Sequence, residues 1–375
     1  MRAEAVVDLS ALRGNIRALR ARVGPAAVMS VVKADAYGHG MLPCARAALA
    51  AGAGWLGAAT PEEALALRAG GISEEQARVL CWLWPQDGPW EQAVRAGIDV
   101  SASSLWALAE AVAAARACGR TARVHLKADT GLGRNGCPPH DWPALVSAAA
   151  AAEAGGLVRV AGIWSHLACA EELGHPSVQA QLDCYRDLLA VAERAGVRPE
   201  VRHLANSAAA LMLPQTHFDL VRTGLAQYGL SPAPEVAEPS GFGLRPVMTL
   251  QADVTLVKQV PAGHGVGYGH RYATARRSTL ALVPLGYADG VPRHAGGTGP
   301  VLLGGRRHTV AGGVAMDQFT LDVGADDVRP GDTAVLFGPG DRGEPTAEDW
   351  ARAAGTISYE IVTRIGARVP RRYVG

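Results

Sequence analysis

The chain has 375 residues, 49% hydrophobic and 19% charged, which is too apolar for disorder and long enough for two domains of about 150 residues each. Thirty-six basic residues against 35 acidic ones leave a formal net charge of +1, so overall charge argues for neither nucleic acid nor an anionic membrane as partner. Charges at Arg2, Glu4 and Asp8 exclude a signal-peptide core in the first ten residues, and no run of about 18 apolar residues offers a membrane span, so the chain reads as soluble and cytoplasmic. The six cysteines, Cys44, Cys81, Cys118, Cys137, Cys169 and Cys184, have no C-x-x-C or paired Cys/His spacing. They read as reduced, mostly buried thiols rather than a disulfide scaffold or metal site.

From residue 26 to about 225 one pattern recurs: a short apolar run, a turn, then an alanine-rich helical stretch. The runs at 27–33, 55–59, 78–83, 98–101, 123–127, 158–165, 201–204 and 218–222 predict strands buried on both faces. Thr60-Pro61-Glu62-Glu63 predicts a helix start with a capping box, stopped by Gly70 and Gly71, and 175–196 reads as a long amphipathic helix. Eight strands alternating with helices predict a (β/α)8, TIM-like barrel. A doubly wound sheet shares the alternation, but no G-x-G-x-x-G follows the first strand.

Past Leu230 the texture changes. A proline-rich linker around Ser231, Pro232, Pro234 and Pro239 divides the chain into domains at 1–231 and 232–375. Beyond it, runs at 248–259, 279–284, 301–303, 318–323 and 333–337 predict a smaller, mostly antiparallel β domain, with helices at 347–354 and 358–365.

Function in a parallel barrel gathers at the C-terminal ends of strands. Those ends carry Lys33, Lys127 with Arg134 after it, His166, Asn206 with Ser207, and Arg222 followed by Gly224. A lone lysine delivered by Val28-Met29-Ser30-Val31-Val32 is positioned for a Schiff base or a base, because desolvation and neighbouring cations lower its pKa. The plain alternative is a strand-end lysine reaching solvent. Ser207 opening a short helix after strand seven and Gly224 after strand eight form a candidate phosphate cradle, against an ordinary N-cap and turn. A barrel lysine with a phosphate site points to pyridoxal phosphate.

The motifs then become specific. Val31-Val32-Lys33-Ala34-Asp35-Ala36-Tyr37-Gly38-His39-Gly40 resembles the pyridoxal phosphate-binding signature of alanine racemases. The resemblance continues in order through Lys127-Ala128-Asp129-Thr130-Gly131-Leu132-Gly133-Arg134, Ser165-His166, Asn206-Ser207, Arg222-Thr223-Gly224-Leu225, Gly267-Tyr268-Gly269, Gly286-Tyr287, Ala315-Met316-Asp317 and Ser358-Tyr359. It implies a barrel plus β domain and a head-to-tail homodimer, each site combining one barrel with the partner's second domain. By that resemblance Lys33 bonds pyridoxal phosphate covalently, Tyr37, Ser207, Gly224, Leu225 and Tyr359 hold its phosphate, and Asn206 also binds the cofactor. Arg222 faces the ring nitrogen, supported by His166. Arg134, Met316 and Asp317 belong to substrate binding, Tyr287 lines the entrance, Lys127 is carbamylated, and no metal is involved.

The implied reaction interconverts L- and D-alanine with two bases on opposite faces, Lys33 and the Tyr268 of the other subunit, supplying D-alanine for peptidoglycan. Both groups have free pKa values of about 10, so each needs depression to act near neutrality. Arg222 stays protonated and withholds a proton from the ring nitrogen, which disfavours decarboxylation and transamination. Plain alternatives stand beside these roles: Tyr268 packing its glycine-rich turn, Tyr287 merely packing, Asp317 anchoring a turn, and His39, His125, His166 and His203 as satisfied core histidines. Three departures from the family pattern bear on specificity: Gly312-Gly313 where an entrance arginine is common, Thr223 in place of proline, and Trp164 in place of a smaller residue. The rivals are a racemase preferring serine or another amino acid, and a non-catalytic barrel that only carries the cofactor.

Overall fold

A computed structural model describes residues 2–375. It opens with a strand, β1 (Ala3–Asp8), and a helix, Leu9–Val23, capped by Asp8, whose carboxylate accepts from the N–H groups of Ser10 and Ala11. Eight parallel strands follow: β2 (Ala27–Val31), β3 (Trp55–Ala58), β4 (Arg78–Cys81), β5 (Asp99–Ala102), β6 (Ala122–Lys127), β7 (Val158–Trp164), β8 (Val201–His203) and β9 (Leu220–Thr223). Each pairs with its neighbour and β9 returns to pair with β2. The ring closes where the Asp219 N–H donates to the Arg202 carbonyl at 3.1 Å and Arg222 N–H to the Ala205 carbonyl at 3.0 Å. This is the (β/α)8 barrel that the alternation predicts.

The capping box at Thr60 is present, and helix Pro61–Ala69 ends at Gly70. The long helix is Pro176–Arg194, with the His175 side chain accepting from the Ser177 N–H. Phe218 lies in a turn at φ +50°, so the last barrel strand starts two residues later than the sequence predicts.

The remaining strands are β10 (Met248–Asp253), β11 (Leu256–Val260), β12 (Gly265–Val266), β13 (Tyr272–Ala273), β14 (Ser278–Val283), β15 (Pro300–Leu303), β16 (Arg306–Thr309), β17 (Phe319–Gly324), β18 (Thr333–Phe337) and β19 (Arg371–Val374). They form a mostly antiparallel β domain, with one sheet ordered β16-β15-β18-β10-β1-β19, another β11-β14-β17, and a hairpin β12-β13. The predicted single strand at 248–259 is two. The chain leaves one sheet for the other at Val254 and Thr255, whose N–H groups go to the Asp332 and Leu282 carbonyls. Both chain ends belong to this domain's large sheet, since β1 pairs antiparallel with β10 and parallel with β19. Among the described residues no helix is long and apolar enough to cross a membrane.

Candidate active site

Lys33 follows β2 and opens a turn of unusual hand. Ala34, Asp35, Ala36 and Tyr37 all have φ between +50° and +56°, a conformation costing roughly 1 kcal/mol or more per non-glycine residue. The surroundings hold it in place. Glu63 Oε1 accepts from the Ala34 N–H at 2.6 Å, Asp35 Oδ1 accepts from the Met41 N–H at 2.7 Å, and His39 Nδ1 bonds the Ala36 and Tyr37 carbonyls at 2.9 and 3.0 Å. The result is a short left-handed helical turn that fixes Lys33 and Tyr37 on one cavity.

That cavity, about 390 Å³, is lined by Lys33, Tyr37, Lys127, Arg134, His166, Asn206, Ser207, Arg222, Gly224, Leu225 and Tyr359. Trp82 at the end of β4, Trp164 at the end of β7, and Val31, Ala34 and Thr363 complete the lining. Sequence reading did not assign Trp82 a place here, though its position just past a strand end was the available signal. Among the described residues no aspartate or glutamate lines the cavity. Burial and the charges of Arg134 and Arg222 lower the Lys33 pKa. Lys127 is driven down to about 7, by burial first and then by Arg222 and Arg134. His166, buried beside the same cations, is held well below its ordinary value and is neutral.

Arg222 is the most tightly bound member. Its Nη2 donates to the Ser165 and Leu204 carbonyls at 2.8 and 3.0 Å, with His166 Nδ1 at 3.2 Å sharing those two hydrogens, while Nη1 donates to His203 Nδ1 at 3.1 Å. Burial lowers its guanidinium to about 10, still protonated at neutral pH. At the opposite end Ser207 Oγ accepts from the N–H groups of Gly224 and Ala226 at 2.9 and 3.3 Å. A Cβ on Gly224 would stand 2.3 Å from the Tyr37 hydroxyl, so only glycine permits this close approach. The Tyr37 and Tyr359 rings lie 6.2 Å apart, and burial raises both phenols, Tyr359 to about 12, which keeps them as O–H donors.

Pyridoxal phosphate fits this donor set. The group needs an amine for its aldehyde and hydroxyl and amide donors for its phosphate, and it brings negative charge. The cavity offers the amine and the donors, and its cations call for the charge.

Tyr268, Tyr287, Met316 and Asp317 are elsewhere. Tyr268 is 86% exposed in the single turn between β12 and β13, so its ring does not pack that turn. Met316 and Tyr287 are also exposed, and the two segments are joined where Tyr287 N–H donates to the Ala315 carbonyl and Ala288 N–H to that of Met316. Asp317 accepts from Arg368 at 2.8 Å. One chain therefore gathers the expected cofactor residues and leaves these four on its surface.

A (β/α)8 barrel carrying a depressed lysine and a hydroxyl-lined cradle, joined to a β domain, defines a pyridoxal phosphate enzyme of the barrel type. Family models for the alanine racemase N-terminal domain and the alanine racemase C-terminal domain match residues 7–232 and 247–373. The chain belongs to the alanine racemase family, which is pyridoxal phosphate-dependent. It is 65% identical to the alanine racemase of Streptomyces coelicolor over 100% of this chain and 96% of the relative. The alanine racemase of Thermobifida fusca is 57% identical over 100% and 98%. The crystal structure of alanine racemase from D-cycloserine-producing Streptomyces lavendulae superposes with a TM-score of 0.98 at 63% identity, covering 100% of this chain and 97% of that one.

Proposed function

We propose that this chain interconverts L- and D-alanine, with Lys33 and a Tyr268 contributed by a second copy as the two bases. The observation that carries this reading is the depressed Lys33 amine sharing one acid-free cavity with Arg222 and the Ser207–Gly224 cradle. When bound, pyridoxal phosphate supplies an aldehyde for the substrate amine and a ring that takes up the electrons left as the α-proton departs. Tyr37, Ser207, Tyr359 and the backbones of Gly224 and Leu225 would hold the phosphate, with Asn206 beside them in the cavity lining. Arg222 would serve the ring nitrogen and, as a guanidinium, keeps its proton. The Lys33 amine, its pKa lowered by burial and by two guanidinium groups, takes the α-proton on one face. Tyr268 serves the other.

Arg134, Met316 and Asp317 orient the substrate, and Tyr287 lines the way in. Lys127, half neutral near pH 7, carries a carbamate whose negative charge steadies Arg134. Two copies of the chain complete two sites, each built from a barrel formed within residues 1–231 and the 232–375 portion of the other copy, although Tyr359 and Thr363 line the cavity of their own chain. We assign the reaction to the cytoplasm, where D-alanine is drawn on for peptidoglycan; the free state of all six cysteines supports that compartment.

Initial rates with L-alanine, L-serine and L-lysine, each with and without added pyridoxal phosphate, test the reading. Alanine is expected to be the fastest, and only with cofactor present. A faster rate with serine or lysine, or no turnover at all, contradicts it. Lys33→Ala should abolish exchange, and Tyr268→Phe should slow it by about 10²–10⁴-fold on one face only. Full activity in either variant overturns the two-base assignment.

A further inference from the structure

The barrel interior beneath Arg222 holds a chain of buried polar groups that the reaction as described does not use. Asp99 on β5, His125 on β6 and His203 on β8 are all fully buried. His203 Nε2 lies 2.9 Å from His125 Nδ1, and His125 Nε2 lies 3.1 Å from Asp99 Oδ2. Asp99 Oδ1 accepts from Arg123 Nε at 2.9 Å, and Arg123 forks onto Glu200 at 2.9 and 2.8 Å. The two histidines sit on strands separated by β7, and their bond passes where β7 has no side chain. A Cβ on Gly162 would stand 2.2 Å from His125 Nδ1, and the β6–β7 register shifts at the same place. Trp164 stacks on His203 at 5.4 Å with 9° between the rings.

The direction of every bond follows from chemistry. A guanidinium only donates, so His203 Nδ1 is an acceptor and the proton of this neutral ring sits on Nε2. That Nε2–H donates to His125 Nδ1, which places the second proton on His125 Nε2, and this donates to Asp99. Asp99 as a carboxylate accepts at both ends. The chain therefore has one polarity from Arg222 to Asp99, and no member can be reversed alone.

We propose that Asp99, His125 and His203 are positioning residues for the reaction: the carboxylate at Asp99 fixes the tautomers of both histidines, and so keeps a lone pair aimed at Arg222 that seats its guanidinium for the ring nitrogen. The proposal rests on the racemase reading for the role of Arg222, and on the bond directions alone for the tautomers. It replaces the view of His125 and His203 as core histidines that merely find partners.

Asp99→Asn is the informative change, because it is nearly isosteric and reverses the polarity. Arg123 holds the amide oxygen, so the amide nitrogen turns to His125 Nε2 and donates. His125 must then accept there and donate from Nδ1 to His203 Nε2. His203 in turn presents Nδ1–H to the donor Nη1 of Arg222, and the two repel. Asp99→Leu removes the carboxylate without imposing a direction, so His203 still offers its lone pair.

Histidine-labelled holoenzyme examined by 15N NMR, with His125 and His203 assigned from their glutamine variants, is expected to show Nε2–H for both in the wild type and in Asp99→Leu, and Nδ1–H for both in Asp99→Asn. Per cofactor-loaded site, Asp99→Asn should lower kcat more than tenfold with KM for alanine changed less than twofold, and should lose more than Asp99→Leu does. A role in packing alone predicts the opposite order, since leucine is the less conservative change. Unchanged tautomers in Asp99→Asn, or a kcat loss no greater than in Asp99→Leu, overturns the proposal. Failure of the racemase reading shows instead as no turnover by the wild type, with the tautomer result standing apart from it.

Discussion

A lysine ammonium among three other cations, with no acid on the cavity wall, carries a penalty that pH controls. Lys127 is pushed to about 7, whereas an ordinary lysine titrates near 10.4. Between those values the unfolded chain holds the proton and the folded chain does not. The penalty is therefore complete below about pH 7 and fades as pH rises toward the unfolded value. In bicarbonate-free buffer Lys127→Met should raise the unfolding free energy at pH 6 by about 1–4 kcal/mol, and the gain should shrink toward zero near pH 10 in urea titrations. A gain independent of pH would remove the electrostatic cause. With 13C-bicarbonate the wild type should show a carbamate signal at Lys127 that grows as pH rises through about 7. The place of Lys127 at a strand end was legible in the sequence. Its depressed pKa was not, because that depends on Arg222 and Arg134 converging from other elements. Asp99 was not legible either: it begins a strand, whereas function in a parallel barrel gathers at strand ends.

At the scale of elements, a local signal turned out to have a distant task. The Thr60–Glu63 capping box is readable in four residues, and Glu63 Oε2 does accept from the Thr60 N–H at 3.3 Å. Its other oxygen holds the Ala34 N–H from 29 residues away, tying helix Pro61–Ala69 to the left-handed turn behind Lys33. Glu63→Ala should cost about 1–2 kcal/mol and weaken pyridoxal phosphate binding, while Glu63→Gln should recover little, because both carboxylate oxygens accept from backbone N–H groups and an amide would turn its own donor onto one of them. Equilibrium unfolding and cofactor titration check both, and unchanged cofactor affinity in Glu63→Ala would contradict the tie. Ala34→Gly relieves a positive φ at an exposed position, so it should leave stability unchanged or slightly higher, where an ordinary helical Ala→Gly loses about 1 kcal/mol. The barrel strands were legible because burial on both faces leaves unbroken apolar runs. The split at Val254 and Thr255 was not, since the apolar pattern continues while the hydrogen bonds change sheets. Nor was β19, whose Arg371-Arg372-Tyr373-Val374 lacks an apolar stripe and is held by its partner β1.

Across the whole molecule, the residues expected at the site fall into two groups, one lining the barrel cavity and one exposed on the β domain. The barrel gathers the amine, the cradle and Arg222, whereas Tyr268, Met316 and Tyr287 lie exposed on the β domain. Periodicity and composition showed two domains but could not show that a site is divided between copies; that expectation came from the family resemblance. Division has an arithmetic consequence. In a dimer of one Lys33→Ala subunit and one Tyr268→Phe subunit, one site carries both lesions and the other carries none. The most direct test is to unfold and refold the two inactive variants together in equal amounts and measure alanine racemisation. A site shared between copies predicts recovery of about a quarter of wild-type activity, since about half the dimers are mixed and each has one intact site. Activity no greater than the sum of the two variants refolded separately would contradict the shared site.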